Sequence, residues 1–203
     1  MDDHIAVMSK VSNRDKILTE GLKVVHERGF ANASVRDIVQ AAGVPQGSFT
    51  NHFVSKEAFG LEILNIYFAA GYELIRETLL NDNLPPLQRM GTFIDAGKNR
   101  LNECGMRNGC LLGNFTAEAS DHSEAIRTRL VEIFGEVQSA VAYCLKAGVA
   151  AGEVSSAIDC DELAGFVVSS LQGANLLAKA VRDPEPVERF KKILFALVLR
   201  HPG

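Results

Sequence analysis

Two groups of side chains in this 203-residue sequence are of types, and at spacings, that do chemistry. The first is Gln46, Gly47, Thr50 and Asn51. Gln and Asn amides can bond two atoms on the edge of adenine, and a Thr methyl can contact thymine. The second is Cys110, preceded by Gly109 and followed by an apolar run, LLGNF. That setting places the thiol at or near a helix start, where the helix dipole favours the nucleophilic thiolate. Arg107 is close enough in sequence to add positive charge. The competing reading of Cys110 is a small buried hydrophobe. A catalytic cysteine would need a base to activate it. The nearest histidine in sequence is His122, and the chain shows no Cys–His signature, so no catalytic residue and no enzyme activity are expected.

The first group needs a helix to present it. Val35, Ile38, Val39 and Ala42 fall on one helical face. Ser34 with Asp37 three positions later suits the start of that helix. Gly43 is free to take a positive φ and break it. Pro45 fits the first turn of a second helix that buries Phe49 and Phe53 and shows Gln46, Gly47, Thr50 and Asn51 on its other face. Two short helices joined by a glycine turn make a helix-turn-helix, whose second helix can enter the DNA major groove. An earlier helix is predicted over Asn13–Arg28, with Ile17, Leu18, Gly21, Leu22 and Val25 on one face, Gly29 ending it and Phe30 packing beneath the motif. Ser55 caps the next helix, which starts at Lys56, where an ammonium and a helix N-terminus both attract phosphate.

The run from Ile17 to Leu64, with ERGF, ASVRDIVQAAGVPQGSF, HF and SKEAFGLEIL, resembles the N-terminal DNA-binding domain of the TetR family of bacterial transcriptional regulators. The resemblance implies a repressor that binds double-stranded operator DNA as a homodimer. It implies DNA contacts from Ser34, Arg36, Gln46, Gly47, Ser48, Thr50, Asn51, His52 and Lys56. Family members often carry Tyr where this chain has Thr50. The segments NGCLLGNFTAE and LQGANLLAK resemble the branch that includes the NemR- and AcuR-like regulators. In that branch a Cys at the position of Cys110 is associated with responses to reactive electrophiles or acrylate-like compounds. Lys179 matches a Lys implied to lie near that Cys, able to lower its pKa or to trap its product.

The remaining sequence reads as an all-α body. Helices are expected from Lys56 to Leu80, Pro86 to Glu103, Cys110 onward, Glu124 to about Ala147, Asp159 through Leu177, and Pro184 to Arg200. NDNLPP and AGVAAGEVSS read as breaks. The expected domains are 1–55, the DNA reader, and 56–203, an effector-binding and dimerisation body. Phe93, Gly97, Asn114, Phe115 and Asn175 are candidates, with Cys110 and Lys179, for the walls of a small-molecule cavity. The last two helices carry small residues, Gly165, Ser169, Ser170, Gly173 and Ala174, that suit close packing against a second copy. A dimer places two reading helices about 34–36 Å apart, matching the half-sites of a palindrome.

Composition sets further bounds. With 47% hydrophobic and 23% charged residues the chain can build a core. No apolar run reaches membrane-spanning length, and MDDHIAVMSK is too polar for a signal peptide, so a cytoplasmic protein without membrane contact is expected. Cysteines 104, 110, 144 and 160 include no CxxC pair. They read as thiols, with no zinc and no cofactor. The net charge of −4 is unevenly divided. Residues 1–56 hold seven Lys/Arg against six Asp/Glu, whereas residues 57–203 hold fourteen against nineteen. Screening beyond about 8–10 Å lets such a reader still bind phosphate, with a shallow salt dependence.

Overall fold

The computed structural model describes residues 11–199, and all regular structure among them is helical. Residues 1–10 and the expected helix end at Arg200 fall outside the described residues. The chain divides into two compact units, Met1–Ile63 and Leu64–Gly203. The division falls inside a helix rather than at its cap.

The first unit holds α1 (Asn13–Arg28), α2 (Val35–Ala41), α3 (Gly47–His52) and the start of α4 (Lys56–Glu77). Ser12 caps α1 through Asp15 N, and Gly29 closes it at φ 86°. Ser34 and Asp37 form a reciprocal capping box at α2: each side chain accepts from the other residue's N–H at 3.1 Å. Arg28 adds a salt bridge to Asp37 at 3.0 Å. At the other end of α2 the Gly43 N–H donates to Gln40 O and the Val44 N–H to Val39 O, both at 3.1 Å. That pairing is a Schellman closure, and it needs the left-handed φ of 62° that Gly43 supplies. Ser48 N then donates to Pro45 O at 2.9 Å, so Pro45 opens the turn that leads into α3. Beneath the motif Phe49, Phe53 and Phe59 pack with centroids 5.1–5.5 Å apart, and all three are buried. Gly21 lets α1 approach this cluster, because a Cβ there would lie 2.6 Å from the Phe59 ring. Val24 is buried in α1, while Leu22 is only half-buried.

The second unit continues α4 and adds α5 (Pro86–Asn102), α6 (Leu111–Ala119), α7 (Glu124–Ala150), α8 (Cys160–Val181) and α9 (Glu185–Ile193). Its core joins Ile75, Leu79, Met90, Ile94, Val141, Leu145, Val167 and Val187. Arg89, 5% exposed, fixes the break before α5 by donating to Leu84 O at 2.6 Å and to Asp82 at 2.7 Å. Four boundaries depart from the sequence reading. Helix α8 runs past Leu177 to Val181. Helix α4 ends at Glu77, three residues short of Leu80, in a turn where Thr78 Oγ1 donates to Leu74 O. Helix α7 runs through AGVA to Ala150, because Gly148 accepts the Val154 side chain where a Cβ would be 2.8 Å away. Helix α9 stops at Ile193, and a π turn follows over Leu194–Val198.

By length and composition α4 is apolar enough to cross a bilayer, which the sequence reading did not anticipate; 33% of its most apolar stretch is buried inside the protein. A core helix passes the same test.

Candidate nucleic-acid interface and effector cavity

In the reading unit, Gln46, Gly47, Thr50, Asn51 and His52 are exposed along α3 and its entry, and Arg36 is exposed on α2. Thr50 Oγ1 donates to Gly47 O at 3.1 Å, which fixes its rotamer against the helix. Two predicted contact residues have other work, and a third is buried. Ser34 is spent on the α2 cap. Ser48 is 8% exposed. Lys56 is half-buried, with Nζ donating to Ala31 O at 3.3 Å and lying 4.8 Å from the Phe30 ring centroid. Its ammonium is thereby held at the start of α4, where Ser55 caps the Ala58 N–H at 3.0 Å.

In the body, Cys110 is the N-cap of α6. It borders an apolar cavity of about 140 Å³ whose wall also includes Tyr67, Phe93, Gly97, Arg100 and Asn175. That volume is close to the roughly 150 Å³ that accommodates benzene in an engineered core. Cys110, Gln172 and Asn175 also border a second, open groove with Asn114 and Lys179, so the thiol stands on a wall between the two spaces. Lys179 Nζ donates to Asn114 Oδ1 at 3.0 Å, and Asn114 Nδ2 donates to Asn108 O at 2.9 Å. The Lys179 chain lies over Gly109, whose φ is 65° and whose absent Cβ would meet Lys179 Cδ at 2.8 Å. Phe115, expected on the cavity wall, is instead fully buried core and borders neither space, because α6 turns it inward with Leu111.

Tyr67 and Arg100 are among the cavity residues that escaped the sequence reading. The Tyr67 hydroxyl accepts from the Leu111 N–H and meets the Cys110 sulfur; burial first, and then charge on that sulfur, hold its ionisation well above the ordinary tyrosine range. Arg100 lies 4.8 Å from the centroid of the Tyr67 ring. Arg107 is exposed, and its carbonyl accepts from Arg182 at 2.8 Å. The guanidinium that borders the cavity with the thiol is that of Arg100. No local signal joins Tyr67 or Arg100 to Cys110, since they come from three different helices. The other thiols differ in kind. Burial pushes Cys144 up to about 11, and its sulfur donates to Pro86 O at 3.2 Å. Cys160 is buried and likewise raised by burial, while Cys104 is exposed on a loop.

On α8 the large apolar residues Phe166, Leu176, Leu177 and Val181 are all more than half exposed. Ser169 and Gly173 are exposed beside them, whereas Ala174 is buried.

Comparison with known proteins agrees with this division. Residues 17–63 match the bacterial regulatory proteins of the tetR family, and residues 86–194 match the tetracyclin repressor-like C-terminal domain. The chain belongs to the TetR family, whose members are transcriptional regulators and not enzymes. It is 36% identical over 192 residues, 95% of each chain, to the HTH-type transcriptional repressor DhaR of Mycobacterium sp. (strain GP1). The reduced form of Escherichia coli NemR superposes with a TM-score of 0.84 at 27% identity, covering 94% of this chain and 98% of that one. A cysteine mutant of the TetR family regulator CifR, solved with a 26 bp double-strand operator DNA, gives a TM-score of 0.77 at 25% identity, over 90% and 97% of the two chains.

Proposed function

We propose that this chain is an effector-responsive transcriptional repressor, cytoplasmic and homodimeric, that binds a palindromic operator and is released by a small molecule acting near Cys110. The observation that carries the reading is a nucleophilic side chain, Cys110, on the wall of an apolar cavity in a chain that also bears a capped helix-turn-helix. Gln46, Thr50 and Asn51 read base edges, while Arg36, His52 and the N–H groups around Gly47 hold the backbone. The exposed apolar face of α8 is the surface a second copy covers, and DhaR and NemR are themselves described as repressors.

The effector class that fits is a small electrophile of a few heavy atoms. With an α,β-unsaturated compound, the Cys110 sulfur donates a lone pair to the β-carbon and a C–S bond forms. The π pair moves to the α-carbon, which takes a proton from water, while the thiol proton passes to water. Such an effector acts only through its different affinity for the DNA-bound and released forms. The test is operator affinity before and after exposure to a panel of small electrophiles, with intact mass on the same samples and on Cys110→Ser. A single adduct on Cys110 accompanied by release is the expected result; equal affinities with and without every compound sink the reading.

A further inference from the structure

Cys110 has a partner on α4, the helix whose first turns, Phe59 and Ile63, are packed in the DNA-reading unit's core. That partner is Tyr67. Its hydroxyl is shared between the Leu111 N–H, the first of α6, and the Cys110 sulfur. Its ring is backed by the Arg100 guanidinium at 4.8 Å, so it cannot slide toward α5 without displacing a charge. Both Tyr67 and Cys110 border the cavity. Around them the wall is mostly apolar, with Phe68, Phe93, Leu112 and Leu171, and Gln172 and Asn175 stand on it as well. A group added to the sulfur must also occupy the space beside the ring.

We infer that Tyr67 is the positioning residue through which Cys110 acts on α4: the hydroxyl ties α4 to the start of α6, and capping the sulfur breaks the tie. This rests on the proposed sensing role of Cys110 and adds to it the route by which the sulfur's state reaches the reading helices. With an added group in the space between ring and sulfur, the hydroxyl no longer ties α4 to α6, which biases the body toward an arrangement in which Tyr67, and α4 with it, has moved. Such an arrangement is a discrete alternative, because packed cores have few intermediate states.

The test uses the full-length protein in a Cys104→Ser background, since Cys104 is the exposed thiol and Cys144 and Cys160 are buried. The probe is iodoacetamide. The Cys110 sulfur forms a bond to its methylene carbon, iodide leaves with the bonding pair, and the thiol proton passes to water. Affinity is measured for a duplex selected from genomic fragments. In the parent protein, one carbamidomethyl group on Cys110 weakens binding about tenfold, within the usual range of allosteric coupling. Tyr67→Phe keeps the ring over Arg100 and removes only the hydroxyl. It stays folded and takes up the same single adduct, but its affinity changes less than about twofold on alkylation. The tyrosine ultraviolet difference band that accompanies alkylation in the parent is absent from it. If Tyr67→Phe is released in the same proportion as the parent, the inference falls and the sensing role of Cys110 stands. If the alkylated parent keeps full affinity, the sensing role falls and the inference with it.

Discussion

A side chain added at Gly21 in the reading unit would meet the Phe59 ring at 2.6 Å and Ile38 at 2.8 Å; one added at Gly109 in the body would meet Lys179 Cδ at 2.8 Å. The distances are alike and the neighbours are not. Phe59 is held on two sides by Phe49 and Phe53 and is fully buried, so nothing around Gly21 can give. The Lys179 chain is the end of a flexible side chain, held by one bond to Asn114. Close packing leaves the reader one internal arrangement, so a signal moves it as a whole or not at all. The body keeps slack, a cavity of about 140 Å³ and, in the neighbouring groove, a lysine that can shift, which is what a switching element requires.

The contrast can be broken at several points. Phe59→Ala is expected to cost about 3–5 kcal/mol and to abolish operator binding, measured by denaturant unfolding and by mobility shift. Binding retained at the parent's affinity would show that the aromatic cluster is dispensable. Gly21→Ala is expected to cost about 1–3 kcal/mol through overpacking. Its counterpart Gly109→Ala suffers mainly from its left-handed backbone, about 1–2 kcal/mol, and should free Lys179 from Asn114. Equal packing costs at the two sites, compared in melting curves, would erase the difference between the units. Gln46→Ala and Asn51→Ala are expected to leave stability unchanged and to lose about 1–3 kcal/mol of operator affinity each, relaxing preference at one base pair; affinity against single-base operator variants reads this out.

The smallest effect belongs to the α2 cap. Ser34→Ala is expected to cost about 1 kcal/mol. The side-chain bond from Ser34, then its N–H, hold the Asp37 carboxyl below the usual range, so this support is present above the ordinary value of 3.8 and fades as pH falls through the lowered one. Melting temperatures from pH 7 down to pH 3 should fall more steeply for the parent than for Ser34→Ala.

What the sequence by itself determined is whatever depends on neighbours a few residues apart. The Ser34–Asp37 box, the Gly43 closure, the burial of Phe49 and Phe53, the bounds of α1 and the helix start at Cys110 follow from side-chain type and a helical period of 3.6 residues. The resemblance carried the reader's family, because its motifs are contiguous. Local pattern also misled where it met a packing demand. Phe115 looked like a cavity wall and is core; AGVA looked like a turn, and Val154 closing on Gly148 keeps it helical. Only the tertiary structure brought Tyr67 of α4, Arg100 of α5 and Cys110 of α6 to one cavity. Each of those residues is unremarkable within its own helix, and their meeting is decided by which helices pack together, a matter of burial across long stretches of chain that no short spacing encodes.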